Sequence, residues 1–303
     1  MTIHSPLISV VIPAYNRRDT LGRALQSVWV QEVEDIEVVI VDDGSTDGTR
    51  EYLSELAEQN RKIRPIFHEQ NKGEAGARNT GVRSAAGEYV AFLDSDDEWM
   101  PGKLRAQIDL MRSTDDGVGA CCTGQYIQYE DGRRDRICDW SDQHEITDRN
   151  ILIRGCGVSM GLTFLIRRAV YQHVGYYDEN LPLLVDVDWL CRLLLRYRVI
   201  KIRDAYAIYN KAPMRTAAPM ERAVAEFKVK NADYLATFGL LDRMAIDSRF
   251  FCYISASYQV HGPWVGYVLS QMKFLLNNPF QSPKQYAYFL AVVLGLKKVG
   301  SGS

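Results

Sequence analysis

The sequence predicts an α/β fold: a mostly parallel sheet flanked by helices on both faces, followed by a C-terminal helical extension. Three observations carry this. Short β-branched runs are apolar almost throughout, which is how strands buried on both faces read. Helical periodicity fills the intervals between them, as in a doubly wound sheet. After Pro213 the strand signals stop.

Leu7 to Pro13 (LISVVIP) and Ile36 to Val41 (IEVVIV) are the first two strands. Between them Leu21, Leu25 and Val28 share one helical face and Asp19 is placed as an N-cap, so the segment predicts a βαβ unit. A second helix follows Asp47-Gly48 and carries Leu53, Leu56 and Ala57 inward. A third spans about Ala75 to Ala86, with Gly87 as its C-terminal cap. Tyr89 to Leu93 (YVAFL) is another buried strand, and Pro101 sits in the first turn of a helix with Leu104, Ile108 and Met111 on one face.

From Gly117 to about Ala212 the signals mix. Gly119 to Tyr129 reads as a strand, Gly155 to Ile166 as a glycine-rich loop entering a strand, and Val187 to Tyr197 as a helix with Leu190, Leu193, Leu194 and Tyr197 inward. Met220 to Leu235 reads as a further helix.

Composition bounds the partners. With 303 residues, 47% hydrophobic and 24% charged, the chain can bury a large core and is no disordered tail. A formal net charge of -2 and no basic patch interleaved with aromatics exclude a nucleic-acid partner. The six cysteines (Cys121, Cys122, Cys138, Cys156, Cys191, Cys252) form no C-x-x-C pair and no zinc spacing, so they read as reduced thiols. No basic region precedes a long apolar stretch at the N-terminus, so the expected compartment is the cytoplasm.

Residues 251 to 303 hold four lysines (Lys273, Lys284, Lys297, Lys298) and no Asp or Glu. Their longest apolar run, Tyr286 to Leu296, is too short for a bilayer, which needs roughly 20 apolar residues. Two readings stand: an interfacial segment whose lysines face anionic headgroups on the inner face of the plasma membrane, or a helical lid. The closing Gly-Ser-Gly-Ser reads as a tail.

Two acidic clusters follow buried strands directly. The first is Asp42-Asp43-Gly44-Ser45-Thr46-Asp47-Gly48, the second Asp94-Ser95-Asp96-Asp97. Ligands of open α/β sheets bind at the carboxyl ends of strands, so both clusters are expected in one crevice. Gathered carboxylates repel, and a bound cation relieves that repulsion. Hard oxygen donors suit Mn²⁺ or Mg²⁺, ions commonly shared with substrate phosphates. In an extended segment Asp94 and Asp96 point to the same side, one toward the ion and one toward a sugar or ribose hydroxyl. Taken singly, Asp42 or Asp47 is equally readable as a turn cap.

The segments ISVVIPAYNR, VVIVDDGSTDGT, NKGEAGARNTG and GEYVAFLDSDDEW, in this order, resemble the family 2 nucleotide-diphospho-sugar glycosyltransferases, which have the GT-A fold. The resemblance covers about the first 115 residues strongly and continues to about residue 215. It implies a nucleotide-sugar-binding half over 1–115 and an acceptor-binding half of the same domain over 116–215, which leaves 216–303 as the helical extension whose acid-free, lysine-bearing end reads as interfacial segment or lid. It also implies roles. Pro13, Ala14 and Tyr15 line the nucleotide pocket, Asp43 recognises the base, and Arg78 helps hold the donor. Asp94 and Asp96 form the D-x-D pair on sugar or ribose and the metal-bound diphosphate, and Trp99 closes that motif on the substrate side. Mn²⁺ or Mg²⁺ is the implied cofactor, offsetting charge on the leaving diphosphate.

The family's base lies in a motif that reads like E-D-x-D-x-W-x-R. Here the stretch is Val185-Asp186-Val187-Asp188-Trp189-Leu190-Cys191-Arg192, so the first acid is missing and the tryptophan is shifted by one. Registering on Arg192 makes Asp186 the catalytic base, drawing the acceptor proton for in-line attack opposite the diphosphate, with Asp188 in reserve. A helix-dipole acid is the plainer reading of either alone. Many relatives also carry a histidine a few residues after a tyrosine. This chain reads Tyr209-Asn210-Lys211-Ala212-Pro213, which leaves Lys211 or Arg215 for the diphosphate. The five histidines fit no motif.

The expected activity is inverting transfer of one hexose from a nucleotide-diphosphate sugar, UDP or dTDP favoured, to a hydroxyl of a glycan or lipid-linked glycan acceptor in cell-surface polysaccharide synthesis. Specificity is expected in loops such as Gln125 to Ile151 and Gly155 to Gly161. The alternative is a non-catalytic nucleotide-sugar-binding accessory protein. A dinucleotide-dependent dehydrogenase needs G-x-G-x-x-G after the first strand, where this chain has Pro13-Ala14-Tyr15-Asn16. The glycine-rich, arginine-containing loop of a nucleotidyltransferase is absent there too.

Overall fold

The computed structural model of the chain describes residues 5–137, 146–154, 159–211 and 217–261. It contains two compact units. The first comprises Met1–Asp148, Cys156–Glu179 and Asp188–Lys211; the second comprises Arg149–Gly155, Asn180–Val187 and Ala212–Ser303.

In the first unit the apolar runs become the spine of a sheet. β1 (Ile8–Ala14) leads through α1 (Leu21–Trp29) to β2 (Ile36–Asp42), and α2 (Thr49–Gln59) leads to β3 (Ile63–Phe67). α3 (Gly73–Ser84) returns the chain to β4 (Tyr89–Phe92), then β5 (Glu98–Trp99) and α4 (Lys103–Arg112) follow. Ile8, Val10, Val11, Ile12, Val38, Val39 and Ile40 are fully buried, as strands covered on both faces must be. β1 lies between β2 and β4, parallel to both, and β3 pairs parallel with β2.

Beyond β4 the sheet is mixed. β6 (Val118–Gln128) carries β7 (Arg134–Ile137) antiparallel, and the short α6 (Met160–Thr163) enters β8 (Phe164–Arg167). α7 (Val170–Val174), α8 (Val185–Leu194) and β9 (Arg198–Asn210) follow. The strand order is β3-β2-β1-β4-β8-β6-β9-β5, with β8 antiparallel to both β4 and β6 and β9 parallel to β6. The expected parallel sheet thus describes the first half, and insertion of β8 reverses direction in the second.

Several local expectations change. Asp19 does not cap α1; Thr20 holds the N-cap position, without a side-chain hydrogen bond, and Asp19 is exposed. Gly87 does not cap α3, which ends at Ser84 with Ala85 as C-cap. Its lack of a side chain serves a close approach instead, since a Cβ there would lie 2.5 Å from the Ser9 nitrogen. β3 escaped the sequence reading because Pro65 sits inside it, and proline is tolerated because β3 is an edge strand. Cys121, Cys122 and Cys191 are buried and form no disulfide, and burial pushes the Cys121 thiol up to about 12, an inert group. Cys138, Cys156 and the side chain of Cys252 lie outside the described residues.

The second unit is helical where it is described. α5 (Asp148–Arg154), α9 (Ala217–Lys230), α10 (Ala232–Ala236) and α11 (Leu240–His261) supply it, and Ala223, Phe227, Ile246 and Phe250 are buried. The Phe227 and Phe250 rings meet at 5.3 Å between centroids. Arg149 grips Asp242 with two nitrogens, and Lys228 pairs with Asp247 at 2.6 Å. Among the described residues no helix is long and apolar enough to cross a membrane. The lysine-bearing tail lies outside them.

Candidate active site

Strand register brings the two acidic clusters to one end of the sheet. Ala14 pairs with Asp42, and Val11 with Phe92, so the chain leaves β1, β2 and β4 on the same edge. Two hydrogen bonds carry that alignment past the strands: Asp43 N–H to Ala14 O at 2.8 Å and Leu93 N–H to Val11 O at 3.1 Å.

The loop after β1 is stapled to the loop after β2. Asn16, with φ 54°, turns the chain through the left-handed region that asparagine tolerates. Its N–H donates to Ser45 Oγ at 2.9 Å, and its Oδ1 accepts the Thr46 N–H at 2.9 Å. Arg17 N–H donates to Thr49 Oγ1 and Arg18 N–H to Asp47 Oδ2. Asp47 is held below the usual carboxylate range: its slight burial pushes upward, but hydrogen bonds from Thr49 and the Arg18 and Thr49 backbones prevail. Asp47 is therefore a structural clasp. Pro13 is half-buried, Ala14 buried, and Tyr15 exposed at 47%, so of the three expected pocket residues Tyr15 alone presents a large free ring.

Asp43 is 3% exposed, and its Oδ1 is fully engaged. His68 Nδ1 donates to it at 2.7 Å and the Lys72 N–H at 2.9 Å, while Oδ2 accepts no hydrogen bond from a described residue. Thr80 Oγ1 sits 3.0 Å from His68 Nε2, fixing the ring from behind. His68 is a site residue that sequence reasoning missed. It directly follows β3, so overlooking that strand hid its position beside Asp43.

The second cluster is a turn, not the extended segment expected. Asp97 N–H closes onto Asp94 O at 3.0 Å, so the Asp94 and Asp96 side chains take their directions from a turn rather than from strand pleating. Asp94 Oδ1 accepts from Arg78 Nη2 at 2.9 Å; Arg78 is 1% exposed and also meets Glu74 at 2.7 Å. Asp96 Oδ2 lies 3.3 Å from Arg17 Nη2, and its carbonyl accepts from Arg23 and Asn210. Burial first, then the Asp94 and Asp96 charges, push Asp97 up to about 9 although Asn210 N–H bonds to it at 2.7 Å. Its Oδ2 is buried without a hydrogen bond. Asp94 and Asp96, with side chains 24% and 32% exposed, are the more open carboxylates of the turn.

Those two carboxylates, as hard oxygen donors, would suit a divalent cation such as Mn²⁺ or Mg²⁺. Among the described residues no group of three or more His, Cys, Asp or Glu is arranged to hold a metal ion.

The remaining expected residues fall elsewhere. Trp99 is 3% exposed, donates to Leu162 O at 2.8 Å and lies beneath the acidic turn in the core, so its ring is not offered to substrate. Asp188 is buried and clamped by Arg192 at 2.9 and 3.1 Å, while Arg192 also donates to Val174 O and Tyr176 O. That makes Asp188 an anchor for α8. Asp186 is half-buried in the first turn of α8 and belongs to the second unit. Lys211 stacks over Tyr129 at 4.8 Å. Arg215 lies outside the described residues, as does most of the Gly155 to Gly161 loop.

The fold is an α/β protein of the doubly wound class, with an acidic turn at the carboxyl ends of its parallel strands. The sequence model of glycosyl transferase family 2 matches residues 9–175, more than half of the chain, and the chain belongs to that family. Its fold is GT-A. The Pyrobaculum calidifontis mannosyltransferase PcManGT, solved with GDP-Man and Mn²⁺, superposes with a TM-score of 0.57 at 20% identity, over 98% of this chain and 82% of that one. S. aureus TarS 1-349 in complex with UDP-GlcNAc gives 0.57 at 19% identity, over 95% and 92%. The Escherichia coli UDP-Glc:alpha-D-GlcNAc-diphosphoundecaprenol beta-1,3-glucosyltransferase WfgD is 26% identical over 93% of this chain and 96% of its own length. The putative teichuronic acid biosynthesis glycosyltransferase TuaG of Bacillus subtilis is 41% identical over 44% of this chain. The matched region spans 52% of TuaG and 34% of an uncharacterized Nostoc glycosyltransferase that is 50% identical.

Proposed function

We propose that the protein is an inverting, metal-dependent hexosyltransferase of cell-surface polysaccharide synthesis. The donor is a UDP- or dTDP-sugar and the acceptor a hydroxyl of a glycan or lipid-linked glycan. The observation that carries this reading is the buried Asp43, held through one oxygen by His68 and Lys72, on the same sheet edge as the Arg78–Asp94 pair. A buried acceptor with one oxygen unengaged suits the ring N–H of uracil or thymine. The names of WfgD and TarS support a uridine donor, and that of WfgD a lipid-linked acceptor.

The exposed Tyr15 ring would stack on the base, Arg78 orients Asp94, and Asp94 and Asp96 would hold Mn²⁺ or Mg²⁺. Such an ion, when bound, offsets charge on the departing diphosphate. Asp186 accepts the acceptor proton at its carboxylate, which directs attack from the face opposite the diphosphate and inverts the anomeric centre. The experiment is transfer with UDP- and dTDP-sugars and Mn²⁺. Asp186→Asn is expected to lower turnover by ~10²–10⁴ with nucleotide affinity nearly intact. Unchanged turnover removes Asp186 as base; absent turnover in the wild type with intact UDP binding selects the accessory protein.

Such an enzyme would work in the cytoplasm, peripheral on the inner face of the plasma membrane through 216–303. Flotation with anionic liposomes, weakened by salt and by Lys297→Ala with Lys298→Ala, is the expected result. Salt-insensitive failure to float favours a lid.

A further inference from the structure

Three consecutive backbone carbonyls in the turn before β8 are each taken by a different donor. Gly161 O accepts the Asp94 N–H at 3.0 Å, Leu162 O accepts Trp99 Nε1–H at 2.8 Å, and Thr163 O accepts Gln107 Nε2–H at 2.9 Å. The turn therefore joins the D-x-D segment on one side to the core residues of β5 and α4 on the other. At Gly161 the contact is intimate: an added Cβ would lie 2.6 Å from both Asp94 carboxylate oxygens and nearer still to Arg78 Nη2. The Asp94–Arg78 pair rests directly on this backbone.

Gln107 is fully buried, and its neighbours fix which way its amide faces. Lys103 Nζ, a donor, meets Oε1 at 2.7 Å; two carbonyls, Thr163 O at 2.9 Å and Cys121 O at 3.3 Å, accept from Nε2. Both amide hydrogens are thereby used, and a reversed amide would set donor against donor and acceptor against acceptor. Trp99 is equally committed, with its N–H on Leu162 O and its ring beneath the Lys103 ammonium at 4.3 Å. Neither side chain faces substrate, yet each holds one peptide of the turn that seats Asp94 and Arg78.

We propose that Gln107 and Trp99 are positioning residues for the donor site: by fixing Thr163 O and Leu162 O they set Gly161 against the Asp94–Arg78 pair. The proposal rests on the donor-site reading above. It gives Trp99 a task other than substrate contact, and it gives Gln107, which no motif singled out, a task in the site. The supporting shell of a charged site typically governs affinity by roughly 10–100-fold, because it fixes the angle at which the first ligands meet their target.

The test compares Gln107→Met, which keeps length and loses both donors, Trp99→Phe, which keeps an aromatic ring and loses the N–H, and Lys103→Met. Lys103→Met disturbs the same core pocket but leaves both donors in place. Urea stability, UDP affinity in Mn²⁺ by calorimetry, and the Arg78–Asp94 separation in crystal structures are measured for each. Gln107→Met and Trp99→Phe are expected to lose roughly 10-fold or more in UDP affinity and to open the 2.9 Å pair, with Lys103→Met altering stability alone. Wild-type affinity with the pair intact in Gln107→Met overturns the proposal, as does an equal affinity loss in Lys103→Met. If Gln107→Met does not fold, Trp99→Phe decides on the same two readouts. If wild-type protein binds no UDP, the donor reading fails, while the Arg78–Asp94 separation in the variants still decides the positioning role.

Discussion

Replacing Lys103 by methionine should change how stability depends on pH, and the structure sets the size of the change. The Lys103 amine is fully buried, bonded to Gln107 and lying over Trp99, and burial pushes its pKa down from 10.5 to about 7 against the opposing pull of Cys121 and Cys122. Below pH 7 the amine is protonated folded and unfolded, so it contributes no slope. Between about pH 7 and 10.5 the unfolded chain binds a proton that the native chain does not, and unfolding becomes harder as pH rises. Each tenfold in acidity is worth about 1.4 kcal/mol, so wild type should gain roughly 4–5 kcal/mol over Lys103→Met across that window. Asp97 acts with the opposite sign. Its carboxyl, pushed up to about 9, makes stability fall as pH rises from the unfolded carboxylate range through 9, but it does so in both proteins and cancels in the difference. The assay is urea unfolding of both proteins at unit steps from pH 6 to 10. Parallel stability curves would refute the depressed amine.

Gly161→Ala should be among the most damaging single-methyl additions in the first unit. The new carbon collides with Asp94 and Arg78 and must displace them, so a Tm loss together with lost UDP affinity is expected; a variant that binds UDP normally would contradict the packing. Asp96→Ala, or a chelator added to wild type, should abolish Mn²⁺-dependent UDP binding measured by calorimetry, whereas affinity independent of metal would remove the D-x-D turn from cation binding.

The first half of the fold was legible because its chemistry is local. LISVVIP, IEVVIV and YVAFL are apolar on both faces, and only a strand covered by helices on two sides satisfies that, so β1, β2 and β4 and their parallel pairing follow from composition and spacing. Two acidic runs immediately after such strands must meet where the strands end together, and they do. Asp43 and Asp94 lie in those runs, whereas Arg78, which meets Asp94, follows only from the family resemblance. Asp188 and Trp99 were picked with them and are buried in clamps, since a motif marks a position without saying which way its side chain turns.

Other features are decided only by tertiary structure. His68 reaches Asp43 across 25 residues, and Gln107 reaches Thr163 across 56, separations at which no local pattern carries information. The reversal of β8 within the sheet depends on which neighbours complete the β4 and β6 ladders, a choice made by the whole core and not by FLIR itself. By itself the sequence determined the parallel spine, the ligand edge and its charge, because burial and repulsion act on adjacent residues. The aim of those charges comes from the fold: Arg78 on Asp94, the Gly161 backbone against both, and a neutral Asp97 beside them. Burial, close approach and the dielectric at each carboxylate exist only once distant segments have packed.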